Sequence, residues 1–142
     1  MSSASAGYSG TPLARKLGIK PGARVALTGS PDGFDAVLGE LPDGVAVHRR
    51  LSGRFDVIVV FSVERCELER RLPALRAALS EAGGLWLAWP KRASGVPTDL
   101  GDGVVRELGL STGLVDNKVC AIDATWSGLR FVYRLEDRPA RT

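Results

Sequence analysis

The apolar segment Phe55–Phe61 constrains the fold of this chain more than any other feature. It is a nearly continuous run of mostly β-branched residues, without the periodicity of an amphipathic helix or a half-exposed strand. Such runs are typical of parallel strands that are covered on both faces. A second run of this kind occupies residues 85–89. We therefore expect both segments to lie in the interior of one sheet with helices on each side.

Strand and helix patterns alternate along the rest of the chain. Further strands are predicted at residues 24–27, 45–47, 115–122 and 129–135, and helices at residues 12–17 (capped by Thr11), 32–38, 63–82 and 98–108. The third helix contains Pro73, which predicts a kink or two shorter helices, and it should stop at Gly83 and Gly84. Alternation of this kind favours right-handed crossovers onto parallel strands. The predicted fold is α/β: a three-layer, Rossmann-like, mostly parallel sheet with a C-terminal antiparallel strand pair.

Length and composition fit one globular unit. The chain has 142 residues, of which 44% are hydrophobic and 25% charged, as is usual for a single domain. We expect a disordered tail at residues 1–6, a domain at residues 7–135 and a frayed tail at residues 136–142. The first ten residues lack an apolar leader, and no apolar run is long enough to cross a bilayer. These features predict a cytoplasmic protein without a membrane partner.

Charge and cysteine content argue against several classes of function. Nineteen basic residues face sixteen acidic ones, and residues 64–71 mix both signs, as on a solvated helix face. We therefore expect no nucleic-acid partner. Cys66 and Cys120 have no metal-ligand spacing, and His48 is the single histidine, so we expect no metal site and no catalytic triad. Cys120 is interpreted as a buried packing residue, and His48 as a surface residue.

Several motifs carry a resemblance to a known family. They are Gly7-Tyr8-Ser9-Gly10-Thr11-Pro12, Trp89-Pro90-Lys91 with Ser94-Gly95 and Thr98-Asp99-Leu100, Lys118-Val119-Cys120-Ala121-Ile122-Asp123, and Trp126-Ser127-Gly128-Leu129. With these motifs the chain resembles a family of small bacterial proteins known as a domain of unknown function. The resemblance covers nearly the whole chain and implies no activity.

A second resemblance concerns architecture. The two interior strands, the helix between them and the terminal strand pair look like the second half of an S-adenosylmethionine-dependent methyltransferase. Members of that family carry a Gly-rich loop after the first strand, whereas here Pro31 removes an N–H donor from that loop. They also carry an acidic residue after the second strand, whereas here Arg49 and Arg50 follow it. We therefore expect no bound cofactor and no tight binding of S-adenosylmethionine.

The ten-residue connection at residues 90–99 is the first candidate site. It follows an interior strand, at the edge of the sheet where ligands bind in open α/β folds, and it is long for such a connection. Its candidate ligand-binding residues are Lys91, Arg92, Ser94 and Asp99. Two cationic side chains can hold a phosphate or carboxylate. The alternative is a structural loop in which Lys91 pairs with a carboxylate such as that of Asp123.

The turn at residues 123–128 is the second candidate, with Asp123, Trp126 and Ser127. Asp123 and Ser127 can instead stabilise their own turn, and Trp126 can belong to the core. If residues 115–122 run parallel to the sheet interior, Asp123 emerges beside Lys91. We then expect an ion pair between them, shielded by Trp126.

A weaker third candidate is the loop that follows the first strand. The backbone of Thr28-Gly29-Ser30 could cradle an anion, with Arg49 and Arg50 after the neighbouring strand. Two functions are compatible with these features. The first is a non-catalytic binding or regulatory module for a small anionic ligand or a protein partner. The alternative is a small group-transfer enzyme on a methyltransferase-like scaffold. The sequence leaves the existence of any catalysis and the oligomeric state open.

Overall fold

The computed structural model of the protein describes residues 12–134. The predicted cap at Thr11 and both predicted tails therefore lie outside the described residues. The strands are β1 (Arg24–Thr28), β2 (Ala46–His48), β3 (Phe55–Phe61), β4 (Leu79–Pro90), β5 (Val115–Ala121) and β6 (Trp126–Val132). The helices are α1 (Leu13–Lys16), α2 (Phe34–Leu38), α3 (Arg65–Ala77) and α4 (Asp102–Leu110), and a 3₁₀ turn covers Arg92–Ser94.

The strands form a six-stranded sheet in the order β2-β1-β3-β4-β6-β5. Strands β1 to β4 pair in parallel, whereas β6 is antiparallel to both of its neighbours, β4 and β5. Strand β5 therefore runs in the same direction as β4. The sheet is mostly parallel with a terminal antiparallel pair, and β3 and β4 lie in its interior, so the predicted fold class is confirmed.

Side-chain alternation along the strands divides the core into two layers. Leu85 and Leu87 of β4 join the layer formed with α3 and α4. Trp86 and Ala88 point to the opposite layer, which contains α1 and α2. The Trp86 indole is fully buried, and its Nε1 donates a hydrogen bond to the Leu17 carbonyl at 3.0 Å. This bond satisfies the polar atom of the buried indole and ties α1 to the sheet.

The expectation of a helix over residues 63–82 is wrong at its C-terminal end. Helix α3 ends at Ala77, and a 12-residue strand begins at Leu79. Leu79 pairs with Phe55, and an irregularity in the β3–β4 register takes up the residues before Gly84. At Gly83 a Cβ would lie 2.7 Å from the Asp56 carbonyl oxygen. Glycine here permits the close approach of two strands and does not stop a helix.

Helix α3 also passes through Pro73 without dividing into two helices. Proline removes one backbone N–H from the helix, which leaves the Glu69 carbonyl without its usual donor. Pro73 and Glu69 are both exposed, so water can satisfy that carbonyl.

Two other predicted boundaries differ from the observed ones. Helix α4 begins at Asp102 and not at residue 98, because Thr98 and Asp99 contact the loop before α3 and the first turn of that helix. Strand β6 begins at Trp126 and not at residue 129, since its pairing with β4 continues to Pro90. The last three residues of the predicted second turn, 126–128, are therefore part of the sheet.

Candidate functional site

Strands β1 to β5 end at one edge of the sheet because they run in the same direction. The segments that follow them at residues 29–33, 49–50, 62–64, 91–101 and 122–125 form what we term the carboxyl edge. All three candidate sites lie on this edge. In open α/β sheets the carboxyl ends of the strands are where ligands bind.

The first two candidates meet in a contact that we term the clamp, formed by Lys91, Asp123 and Thr125. The Lys91 backbone N–H donates to the Thr125 carbonyl at 2.7 Å, and the Lys91 Nζ donates to the Asp123 carbonyl at 2.7 Å. The predicted ion pair between Lys91 and Asp123 is wrong. The Asp123 carboxylate instead accepts the N–H groups of Thr125 and Trp126, each at 2.8 Å. Nearby backbone donors within its own turn compete with the lysine for this carboxylate.

Trp126 lies beside the clamp at the start of β6. Its ring packs edge-on against Phe61 with a centroid distance of 5.1 Å, and Phe61 packs against Phe34 at 4.9 Å. Trp126 is half-buried and paired with Pro90 in the sheet. Ser127, also half-buried, pairs with Trp89. The tryptophan thus continues an aromatic row along the edge and covers the end of β3.

The remaining residues of the long connection hold the loop in place, with one exception. Ser94 Oγ donates to the Lys91 carbonyl at 2.6 Å and accepts the Val96 N–H at 3.2 Å. Asp99 Oδ1 accepts the N–H of Arg65, the first residue of α3, at 2.8 Å. Arg92 is exposed, and its side chain has no hydrogen bond or ion pair within residues 12–134. A ligand-binding role for these residues stays a prediction.

The third candidate forms an open cleft of about 230 Å³, which we term the β1–β2 cleft. It is lined by Ser30, Pro31, Asp32, Gly33, Phe34, Asp35 and Arg49. Arg49 spans the cleft: its Nη2 lies 2.9 and 3.1 Å from the two carboxylate oxygens of Asp35, and its Nη1 lies 3.4 Å from Ser30 Oγ. The side chains of Arg49 and Asp35 are 52% and 76% exposed. Water therefore reaches the whole ion pair.

The backbone at Gly29 shapes the floor of this region. Gly29 has a φ of +69°, and a Cβ at this position would lie 2.8 Å from the Phe61 carbonyl oxygen. The loop after β1 is consequently pressed against the end of β3. Only glycine allows both the left-handed backbone and this close approach.

A fourth feature, which sequence reasoning missed, lies on the other side of the same loop. Arg71 of α3 donates from Nη2 to Thr28 Oγ1 at 2.5 Å, and Thr28 is only 7% exposed. Glu67, one turn earlier, accepts a hydrogen bond from Ser62 Oγ at 3.2 Å. The half-buried Arg71 has no ion pair within the described part of the chain. Its place directly before the buried Leu72 was the available signal, but residues 64–71 were interpreted as a solvated face.

The cysteines and the acidic residues show no metal-binding arrangement among residues 12–134. Cys120 is buried, as predicted, and burial raises the pKa of its thiol, although the charges of Lys16, Lys118 and Lys91 act in the opposite direction. Cys66 is exposed on α3. In the same part of the chain, no helix is long and apolar enough to cross a bilayer.

Comparison with protein families and with curated proteins found no match. Comparison with solved structures found similar folds. Ribosomal protein L11 methylase from Lactobacillus delbrueckii subsp. bulgaricus aligns over 86% of this chain and 75% of its own, with a TM-score of 0.56 and 14% identity. A SAM-dependent methyltransferase from Aquifex aeolicus aligns over 82% of this chain and 85% of its own, with a TM-score of 0.55 and 14% identity.

Magnesium protoporphyrin IX methyltransferase from Synechocystis PCC 6803, solved with bound SAM, aligns over 86% of this chain and 74% of its own. Its TM-score is 0.57 and its identity 13%. At such low identity the likeness establishes the fold and nothing finer. The chain therefore has the Rossmann-like fold of the S-adenosylmethionine-dependent methyltransferases, as the architectural resemblance predicted.

Proposed function

We propose that this protein is a binding module for a small anionic ligand, which it holds in the β1–β2 cleft on a methyltransferase-like scaffold. The observation that carries the proposal is the cleft itself. It is a polar opening at the carboxyl end of two adjacent parallel strands, and the guanidinium of Arg49 lies across it. Arginine presents a planar fork of N–H donors that matches a carboxylate or a phosphate group.

The ion pair that crosses the cleft can open at little cost. Arg49 and Asp35 are both largely exposed, and such surface pairs contribute about 0–1 kcal/mol to stability. An entering anion can replace the Asp35 carboxylate on Arg49, while water solvates the released carboxylate. The ion pair therefore holds Arg49 in position for a ligand, and Arg49 can release the Asp35 carboxylate when the ligand binds.

The lining of the cleft favours a compact anion over a nucleoside. Phe34, the aromatic residue of the lining, is only 2% exposed and packs against Phe61, so its ring face is not available for stacking on a base. The volume of about 230 Å³ also lies below the roughly 300–1,000 Å³ of typical small-molecule pockets. Pro31 removes one backbone donor from the loop, and Arg49 and Arg50 follow β2 where the methyltransferase resemblance implies a ribose-binding acid.

An NMR titration with inorganic phosphate tests the proposal. We expect phosphate to shift the amide signals of residues 29–35 and 48–50, and the Arg49→Gln variant to lose this response. Arg70→Gln is the matched control, because Arg70 is an exposed arginine of α3 whose side chain has no hydrogen bond or ion pair within residues 12–134. Absence of any response in the unmodified protein, or equal responses of both variants, would refute the proposal.

A second candidate function is group transfer with S-adenosylmethionine as donor. The fold itself favours it, since the structural neighbours described above are methyltransferases and one of them holds bound SAM. Isothermal titration with S-adenosylmethionine distinguishes the two functions. We expect no tight binding, whereas a low-micromolar dissociation constant would favour the enzyme over the anion-binding module.

A further inference from the structure

We infer that the ligand of the β1–β2 cleft carries two adjacent anionic groups, as a diphosphate does, and that Arg71 binds the second of them. This inference rests on the proposed function and adds a substrate class to it. It follows from the placement of two arginines on either side of one short loop, Thr28-Gly29-Ser30.

The first argument is that no opposite charge lies beside the Arg71 side chain. Its side chain is half-buried and contacts a neutral hydroxyl, that of Thr28. Withdrawing a charged group from water costs free energy unless an opposite charge compensates for it, and the partly buried Arg71 has only this hydroxyl. A carboxylate was available on the same helix, because Glu67 lies one turn earlier, but Glu67 accepts a hydrogen bond from Ser62 instead. Within residues 12–134, Arg71 is thus a cation without a counter-charge.

The second argument is the position of the Arg71 side chain relative to the strand order of the sheet. Strand β1 lies between β2 and β3, and the chain passes from β1 to β2 in one direction and later to β3 in the other. The ends of β1 and β3 are therefore the point where the strand order reverses. In open α/β sheets this point forms the ligand crevice. Arg71 reaches Thr28, the last residue of β1, at that point.

The third argument is the separation of the two cations. Arg49 lies 3.4 Å from Ser30 Oγ, and Arg71 lies 2.5 Å from Thr28 Oγ1. The Cα atoms of these two loop residues are two positions apart, which corresponds to at most about 7 Å. The two guanidinium groups therefore contact the same short loop, one on each side of it. Arg71 is not among the residues that line the cleft, so a ligand that contacts both arginines must extend beyond the cleft and needs a second anionic group to do so.

A phosphate and a diphosphate differ in the arginines that they can contact. A single phosphate can engage Arg49 in the cleft and leaves Arg71 with its hydroxyl partner. A diphosphate adds a second charge-assisted contact at Arg71. Hydrogen bonds to charged groups are strong enough for one such contact to raise affinity by about tenfold.

Isothermal titration in buffer without divalent cations tests this inference, with inorganic phosphate and inorganic pyrophosphate as the probes. We expect pyrophosphate to bind the unmodified protein about tenfold more tightly than phosphate. In Arg71→Gln this advantage should disappear, because pyrophosphate affinity falls by more than phosphate affinity. Arg71→Lys keeps the charge but not the fork of donors, and it should retain part of the advantage. Arg70→Gln serves again as the neighbouring control on α3.

The outcomes separate this inference from the function on which it rests. Phosphate and pyrophosphate binding with equal affinity, or an advantage that survives in Arg71→Gln, would overturn the assignment of Arg71 and leave the phosphate site intact. Failure of both probes to bind would overturn the proposed function itself. Melting temperatures of the variants establish that each is folded. If Arg71→Gln is destabilised, an undiminished advantage of pyrophosphate in Arg71→Lys would overturn the assignment instead.

Discussion

The two ends of the carboxyl edge use their polar side chains in opposite ways. At the clamp, Lys91 and Asp123 contact backbone groups: a carbonyl for the lysine and two N–H groups for the carboxylate. At the β1–β2 cleft, Arg49 contacts an exposed carboxylate and Ser30 Oγ. The partners at the clamp cannot move away without changing the fold. The partner of Arg49 can rotate into water.

This difference predicts that stability and ligand binding can be separated by substitution. Loss of a clamp side chain leaves half-buried backbone groups without a partner, which costs stability. Loss of an arginine at the cleft leaves groups that water satisfies, which costs little. Substitutions of the clamp side chains should therefore change unfolding and spare binding, and substitutions of the charged side chains at the cleft should do the reverse.

Gly29→Ala should have the largest effect on stability. The left-handed backbone disfavours alanine, and the added Cβ would lie 2.8 Å from the Phe61 carbonyl oxygen. We expect a loss of about 2–4 kcal/mol in the free energy of unfolding, measured by urea denaturation, together with a weaker response to phosphate. Gly33→Ala is the matched control, since Gly33 also has a positive φ but no atom within 4 Å of the added Cβ. Equal losses in the two variants would show that the contact with β3 contributes nothing.

Asp123→Ala should have the next largest effect. The substitution leaves the N–H groups of Thr125 and Trp126 without their acceptor in a half-buried turn, at a cost of about 1–3 kcal/mol. Asp123→Asn retains an acceptor oxygen and should lose less. We expect the phosphate titration to be unchanged in both variants. A stable Asp123→Ala protein that no longer responds to phosphate would move the binding site to the clamp.

Lys91→Ala should reduce stability by about 1 kcal/mol, the net contribution of a typical hydrogen bond, without changing phosphate affinity. The substitution removes the Nζ contact to the Asp123 carbonyl but keeps the backbone contact to Thr125. Arg92→Ala is the control, because the Arg92 side chain has no partner in the described residues, and it should be neutral. Lost binding with an unchanged melting temperature would instead support the ligand site predicted at Lys91.

The fold was more accessible from the sequence than the roles of the polar residues. A continuous apolar run without periodicity reflects burial on both faces of a strand and can be read from the local sequence, and such runs placed β3 and β4 in the sheet interior correctly. The helix predicted to run to residue 82 failed because the pairing of Leu79 with Phe55 is a long-range contact. The meeting of Lys91 and Asp123 was predictable from strand direction. The atom of Asp123 that accepts the lysine hydrogen bond was not predictable, because the turn's own N–H groups compete for the carboxylate.

The position of Arg71 shows what a charge pattern on a helix does not reveal. A run of mixed charge on a helix gives no indication of which member lies over a strand end, because the rotation of the helix on the sheet decides it. Arg70 is exposed, whereas the adjacent Arg71 is half-buried and reaches Thr28. The sequence pattern is the same for both arginines, and only the packing of the helix on the sheet makes their exposure and contacts different.

Asp35→Asn should have the smallest effect on stability and an opposite effect on binding. The ion pair with Arg49 is exposed, so its loss should change the free energy of unfolding by less than about 1 kcal/mol. The substitution also removes the carboxylate that competes with an anion for Arg49, together with its repulsion of that anion. We expect phosphate affinity to rise by up to about fivefold, the equivalent of one surface ion pair.

Asp32→Asn provides the matched control for this effect. Asp32 lines the same cleft but makes no hydrogen bond or ion pair within residues 12–134. Its substitution removes repulsion without releasing Arg49, so affinity should rise less than in Asp35→Asn. A fall in phosphate affinity in Asp35→Asn would mean that the carboxylate holds Arg49 in its binding position. The contrast with the clamp would then fail, because Asp35 would be a fixed part of the site in the way that Asp123 is a fixed part of its turn.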